Sequence, residues 1–382
     1  MTIIFFILIL VSLIIVHEFG HFIIAKAFGI RVDEFGIFFP PRIFAIKWGE
    51  TEYSLNWLPF GGFVRIFGED GEELEQEPAQ QPLDETNVSR AGSAPASFAA
   101  VSKWKQAAVI VAGIIFNLLF AWVLLTAGYM YGIPTSANHE GVGTVQHVQA
   151  TIVGILPGSP ADKAGLEAGD TIESVITGNA QLQANADAEQ VQDFIAAHQN
   201  ESIGFTVERY GKQVNAIARP VAGLASDKKV VGIELGDVGI LKLPLPLALV
   251  QGALLGKEIT VSTAEGLATF FAEIFHGTAD FGSVSGPIGI VSAGGTAVQE
   301  GFIATIILTS LISINLAIIN LIPIPGLDGG RLLFIVIEAI TKKPISKRIS
   351  LSLTIIGFSL LILLMLVVSY HDIVHLVHPT AM

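Results

Sequence analysis

Residues 2–28 read TIIFFILILVSLIIVHEFGHFIIAKAF. The run from Ile3 to Val16 carries no charge, and the chain turns apolar again at Phe22. A stretch of this length and composition predicts a helix able to cross a bilayer. Inside it stands His17-Glu18-Phe19-Gly20-His21. Two histidines at i and i+4 with a glutamate after the first is the H-E-x-x-H pattern, which on a helix turns both imidazoles to one face, toward a zinc ion. His and Glu in an apolar span lose hydration, a cost that ionisable residues in membranes repay through function. The reading that competes with metal binding is a set of polar groups satisfied by neighbouring helices.

Across 382 residues the chain is 51% hydrophobic and only 14% charged, below the roughly 25% charged residues of soluble domains. Four segments approach the length of a membrane span, at about Thr2–Phe28, Ala107–Tyr131, Phe302–Ile322 and Ser350–Ser369. The first lacks the basic n-region and small-residue cleavage site of a signal peptide. Lys26, Arg31, Arg42, Lys47, Arg65, Arg90, Lys103 and Lys105 fall between spans one and two, and Arg331, Lys342, Lys343, Lys347 and Arg348 between spans three and four. By the positive-inside rule both loops are cytoplasmic, and both termini and the long region between spans two and three lie on the other side. Such a chain is expected in the cell inner membrane as a multi-pass protein, with the H-E-x-x-H motif near the cytoplasmic side. The net charge of −13 argues against a nucleic-acid partner, and the absence of cysteine excludes disulfides and thiolate ligands.

Between spans two and three, residues 141–221 read as a compact α+β domain, with strands expected at Thr151–Leu156, Thr171–Thr177 and Ile203–Arg209 and a helix at Ala188–His198. Its signature is Leu156-Pro-Gly-Ser-Pro-Ala161, then Ala164-Gly165-Leu166 and Ala168-Gly169-Asp170-Thr171-Ile172, in which Gly and Pro punctuate a strand–turn–helix–turn–strand unit. This resembles the PDZ domain of bacterial membrane proteases. The resemblance implies either a peptide ligand bound at a sheet edge or a steric gate. Residues 222–301 read as an amphipathic, membrane-surface region, centred on Leu247 to Phe275.

A catalytic zinc usually has three protein ligands and a water. Asp328 is the sole carboxylate between Glu300 and Glu338, and it follows Pro323 and Pro325 and precedes Gly329 and Gly330, where irregular backbone suits a cavity lining. The reading that competes here is a helix cap at the interface. His17-Glu18-x-x-His21 together with Asn320-x-x-Pro323-x-Pro325-x-x-Asp328-Gly329 resembles the paired signatures of the site-2 protease family of intramembrane zinc metalloproteases. A single PDZ insert makes the chain similar to the RseP-like bacterial branch, some members of which carry two. Gly61-Gly62-Phe63-Val64, within Pro59–Val64, resembles the family's Gly-Gly loop, and Gly113-x-x-Phe116-Asn117 resembles its motif in span two.

The resemblance implies a fold of four transmembrane helices, a membrane-associated β-hairpin or sheet at about residues 50–66, and an extracytoplasmic PDZ domain. It implies Zn²⁺ held by His17, His21 and Asp328, with Glu18 as the general base. Asn320 and Asn315 are substrate-binding candidates, as are Gly61, Gly62, Phe63 and Val64 on a β-loop whose edge pairs with an unwound substrate. It also implies transmembrane protein substrates within the lipid bilayer, such as anti-sigma factors or remnant signal peptides. The polar stretch Glu69–Ser102 reads as a flexible insert. Two other functions compete, a zinc-containing membrane scaffold with a PDZ module and an ion transporter using intramembrane His, Glu and Asp residues.

Overall fold

A computed structural model describes residues 2–69, 97–178, 180–182, 186–225, 228–279, 281, 284 and 286–377. In chain order the elements begin with α1 (Thr2–Ala27), β1 (Val32–Trp48), β2 (Thr51–Ile66) and α2 (Lys103–Tyr131). Next come β3 (Ile133–Ser136), β4 (Gln146–Ile155), α3 (Pro160–Lys163), β5 (Thr171–Thr177), β6 (Ala180–Leu182) and α4 (Ala188–Ala197). Strands β7 (Ile203–Arg209), β8 (Lys212–Ala218), β9 (Val221–Ala225), β10 (Lys228–Val230) and β11 (Ile233–Leu241) follow. The chain closes with helices α5 (Leu245–His276), α6 (Pro287–Glu300), α7 (Phe302–Leu321), α8 (Asp328–Thr341) and α9 (Lys347–Val377).

Among the described residues, four helical stretches are long and apolar enough to cross a membrane: Phe5–Ala27, Lys103–Tyr131, Phe302–Leu321 and Lys347–Val374. Much of their apolar surface faces outward; on α9, Leu351, Ile355, Ile356, Phe358, Leu363 and Leu366 are all exposed. In water so large an apolar face would be an aggregation hazard, whereas in lipid it is the ordinary surface of a span. Helix α7 stops at Leu321 rather than running on to Gly330, because Pro323 and Pro325 cannot continue its hydrogen-bond ladder. A new helix, α8, then starts at Asp328.

The chain divides into two compact units. The first comprises residues 1–124, 255–295 and 308–372. It holds a β-element larger than the hairpin expected at residues 50–66, because β1 supplies a partner on both sides. Residues 34–37 of β1 pair with 52–55 of β2 and also with 62–65, while the far half of β1 returns along 51–56. The Pro40-Pro41 pair in mid-strand masks β1 in the sequence, since proline normally breaks a sheet. Ala25, Ile30, Val32, Ile66, Phe98, Val109, Ile110 and Ile335 form a buried core that ties β1 and β2 to α1, α2 and α8. Most of the expected insert at 69–102 falls outside the described residues. Its last part is anchored rather than loose, since Phe98 is buried in that core and donates its N–H to the Phe67 carbonyl at 2.8 Å.

The second unit comprises residues 125–254, 296–307 and 373–382. Its main sheet runs in the order β3-β11-β4-β5-β7-β8, with β6 beside β5. Both β3 and β11 lie outside the expected 141–221 boundary, so the region after residue 221 contributes strands before it becomes the long helix α5. Alternate residues Ile203, Phe205 and Val207 of β7 turn into one core with Ile152, Ile172 and Val175, and α4 covers it with Val191 and Ile195. The Pro-Gly-Ser-Pro turn is built by Ser159, whose hydroxyl accepts the Asp162 N–H and caps α3. The Gly169-Asp170 turn is pinned by Arg209, which donates to both oxygens of the fully buried Asp170 carboxylate at 2.6 and 2.7 Å.

Candidate metal centre

One helical turn separates His17 from His21 on α1, so both imidazoles project from the same face, and both are buried. Asp328 meets them from the first residue of α8. Its Oδ2 lies 3.0 Å from His17 Nε2 and 3.4 Å from His21 Nε2, and the two Nε2 atoms are 3.2 Å apart. The three atoms make a nearly equilateral triangle. A tetrahedral zinc with nitrogen and oxygen ligands at about 2.0–2.1 Å requires ligand atoms about 3.3–3.4 Å apart. Asp328 Oδ2 is also buried and faces the two Nε2 atoms, a costly arrangement for a carboxylate unless a proton or a cation shared with them completes it. The residues present fit a zinc ion.

Helix α2 forms the wall behind the imidazoles. Gly20 and Gly113 let the two helices approach closely: a Cβ on Gly20 would stand 2.6 Å from the Ala112 carbonyl oxygen, and one on Gly113 would strike His21 and come within 2.8 Å of His17 Cε1. On the other side of the rings from the Nε2 atoms, His21 Nδ1 lies 2.8 Å from the Val109 carbonyl oxygen, and His17 Nδ1 lies 3.2 Å from the side-chain amide of Asn117. The Gly113-x-x-Phe116-Asn117 motif in span two was the signal for this wall; the use of Gly113 and Asn117 is visible only in three dimensions.

Glu18 follows His17 by one position, about 100° around the helix from it, so it stands beside the triangle rather than within it. It faces the second half of β2. A Cβ on Gly62 would lie 3.2 Å from Ile14 Cγ2 and 3.5 Å from Glu18 Cγ, so glycine at 62 keeps the backbone of β2 against the glutamate. Gly62, Phe63 and Val64 pair with Ile37, Gly36 and Phe35, and among the described residues β1 is the only ladder partner of this stretch. Gly61 takes φ +86°, a turn conformation that admits glycine with least strain. The ring of Phe63 stacks on Phe39 at 6.2 Å, fixing its side chain within the sheet.

The two asparagines of α7 are placed differently. Asn315 accepts a hydrogen bond from Thr263 of α5 at 3.3 Å, which engages its carbonyl in helix packing. Asn320 is half-buried on the last turn of α7, just ahead of the linker that carries Asp328.

The model of peptidase family M50 matches residues 5–365. The chain is 29% identical to the zinc metalloprotease RasP of Bacillus licheniformis over 97% of this chain and 98% of that protein. It is equally similar to the zinc metalloprotease RasP of Geobacillus kaustophilus, at 29% over 97% of each chain. It is 28% identical to the regulator of sigma-W protease RasP of Bacillus subtilis, over 97% of this chain and 98% of that one. With a buried triangle of His17, His21 and Asp328 whose spacing fits zinc, an H-E-x-x-H helix apolar enough to span a bilayer, and a family match over nearly its whole length, the chain belongs to peptidase family M50, the site-2 proteases, and is an intramembrane zinc metalloprotease.

Proposed function

We propose that His17, His21 and Asp328 hold the catalytic zinc and that Glu18 is the general acid–base of an endopeptidase acting on single-pass membrane proteins. The single observation that carries this reading is the buried triangle of Nε2, Nε2 and Oδ2 atoms spaced 3.0–3.4 Å apart, the spacing of ligands on a tetrahedral zinc. Zinc, when bound, supplies the electrophile that lowers the pKa of water and polarises a carbonyl. Glu18 takes a proton from the attacking water and hands it to the leaving amine, the role its position next to a ligand and outside the triangle allows. Burial of the site keeps bulk water from competing.

Peptide bonds of a transmembrane helix are hidden in its own hydrogen-bond ladder, so the substrate unwinds before attack. The Gly61–Val64 edge of β2, close to Glu18, is where an extended segment adds as a strand, and Asn320 donates to its backbone. The inserted β-sheet unit acts as a PDZ domain on the extracytoplasmic side, where it admits substrates whose outer domains have been trimmed or binds their new ends. The active site lies toward the cytoplasmic face of the inner membrane. The name regulator of sigma-W protease, carried by the Bacillus subtilis relative, supports substrates of the anti-sigma-factor class; remnant signal peptides share the same single-span chemistry. A structural zinc site closes with four protein ligands, and among the described residues three converge, which favours catalysis over a scaffold.

The test is cleavage of a model single-span substrate by the purified full-length protein in lipid. Loss of cleavage with a chelator and recovery with added zinc is the expected result; cleavage indifferent to the chelator would refute the assignment.

A further inference from the structure

Asn117 is completely buried on α2, and its side-chain amide sits 3.2 Å from His17 Nδ1. As placed, a nitrogen faces a nitrogen, and the carbonyl oxygen Oδ1 on the other side is buried with no donor. The two ends of an asparagine amide are interchangeable by a half-turn, so the hydrogen-bond chemistry decides which end faces the imidazole. His17 Nε2 points at Asp328 and His21, and a nitrogen that ligates zinc carries no proton. A neutral imidazole then bears its proton on Nδ1 and requires an acceptor there. Turning the amide gives Nδ1–H its acceptor and removes the orphaned oxygen from its donorless position in one move.

His21 meets the same requirement with the Val109 carbonyl, at 2.8 Å. Thus α2 presents one acceptor to each imidazole, a backbone carbonyl to His21 and a side-chain carbonyl to His17. The acceptor is itself held in place: Ser313 of α7, fully buried, donates its hydroxyl to the Asn117 backbone carbonyl at 2.8 Å. Helix α7 leads directly into the linker ending at Asp328, so the helix that delivers the third ligand also anchors the partner of the first.

We propose that Asn117 is a positioning residue whose side-chain carbonyl accepts the Nδ1–H of His17, fixing the tautomer and ring orientation that present Nε2 to zinc. This rests on the assignment of His17 as a ligand. Outer partners of this kind typically change metal affinity about 10–100-fold when removed.

The experiment is zinc affinity of the full-length protein, measured by competition with a chelator of known affinity, for wild type, Asn117→Leu, Asn117→Asp and His17→Ala. Leucine keeps the volume and loses the acceptor, so affinity is expected to fall about 10–100-fold. Aspartate keeps an acceptor of the same shape, so affinity is expected to stay within a few-fold of wild type. Were the amide nitrogen donating to His17 instead, aspartate would fail as leucine does, and that result overturns the proposal even where Asn117→Leu does not fold. Wild-type affinity in Asn117→Leu also overturns it. Wild-type affinity in His17→Ala would instead overturn the zinc assignment beneath it.

Discussion

Asp328 Oδ2 lies 3.0 Å from Nε2 of His17, joining a residue of the first helix to one near the far end of the chain. The contact needs α7 to stop early. Pro323 and Pro325 end that helix, and the short linker turns Asp328 back to begin α8 beside α1. The pair brings a carboxylate and an imidazole together in a buried place, which is the chemistry of a metal ligand pair rather than of a surface ion pair.

Asp328→Asn keeps the size of the side chain and removes its charge. The variant should retain its fold and lose zinc, with affinity lowered by more than the roughly 10–100-fold that removing an outer partner of a ligand costs. Elemental analysis after mild chelation reads this directly; full zinc occupancy would remove Asp328 from the ligand set.

Gly62→Val adds a branched side chain where a single Cβ already comes within 3.2 Å of the Gly36 carbonyl oxygen and of Ile14. The second half of β2 must then move away from Glu18. Zinc content should stay at the wild-type level while kcat/KM for a single-span substrate drops about 100-fold, the scale of an ångström-sized misplacement in an active site. Parallel loss of zinc would mean that β2 supports the metal rather than the substrate.

Much of the site was legible in the sequence because its signals are local or chemically rare. His17, Glu18 and His21 lie within one turn of a helix, and Asp328 was the one carboxylate available in its region. The long strand β1 was not legible. Its pairing with two separate parts of β2 is a tertiary fact, and Pro40-Pro41 reads as a strand breaker. The extent of the inserted sheet was missed for a related reason, since β3 and β11 join it from beyond the sequence signature. Asn117 could be singled out as part of a motif, but its partner His17 is brought to it only by the packing of α1 on α2.

In the inserted sheet, Arg209→Met should leave the Asp170 carboxylate buried and without its bidentate partner. Breaking a buried pair from one side costs about 3–5 kcal/mol. Hydrogen exchange on the full-length protein should show faster opening of β4, β5, β7 and β8, with zinc affinity unchanged. Unaltered protection of these strands would show that the ion pair contributes little.

The Glu338 carboxyl on α8 accepts from Lys103 at 2.6 Å and from the Ile345 N–H at 2.9 Å. Partial burial pushes its pKa up, but these hydrogen bonds outweigh it and hold the group below its ordinary value of 4.5. A carboxyl depressed in the folded state stabilises it fully above the ordinary value, and the contribution is lost as pH falls through the folded value. For a pair this exposed the effect is below about 1 kcal/mol. Lys103→Met should therefore lower Tm slightly at pH 6, with the gap closing as pH falls below the ordinary value and through the folded one. A gap that widens on acidification would contradict the pairing.

The most direct test of the account is Glu18→Gln, which preserves shape and removes the proton acceptor. Zinc stoichiometry and cleavage of a single-span substrate in lipid are measured together on the same preparation. The account predicts wild-type zinc content with cleavage abolished, because Glu18 stands outside the ligand triangle and moves the proton. Cleavage at the wild-type rate would contradict it.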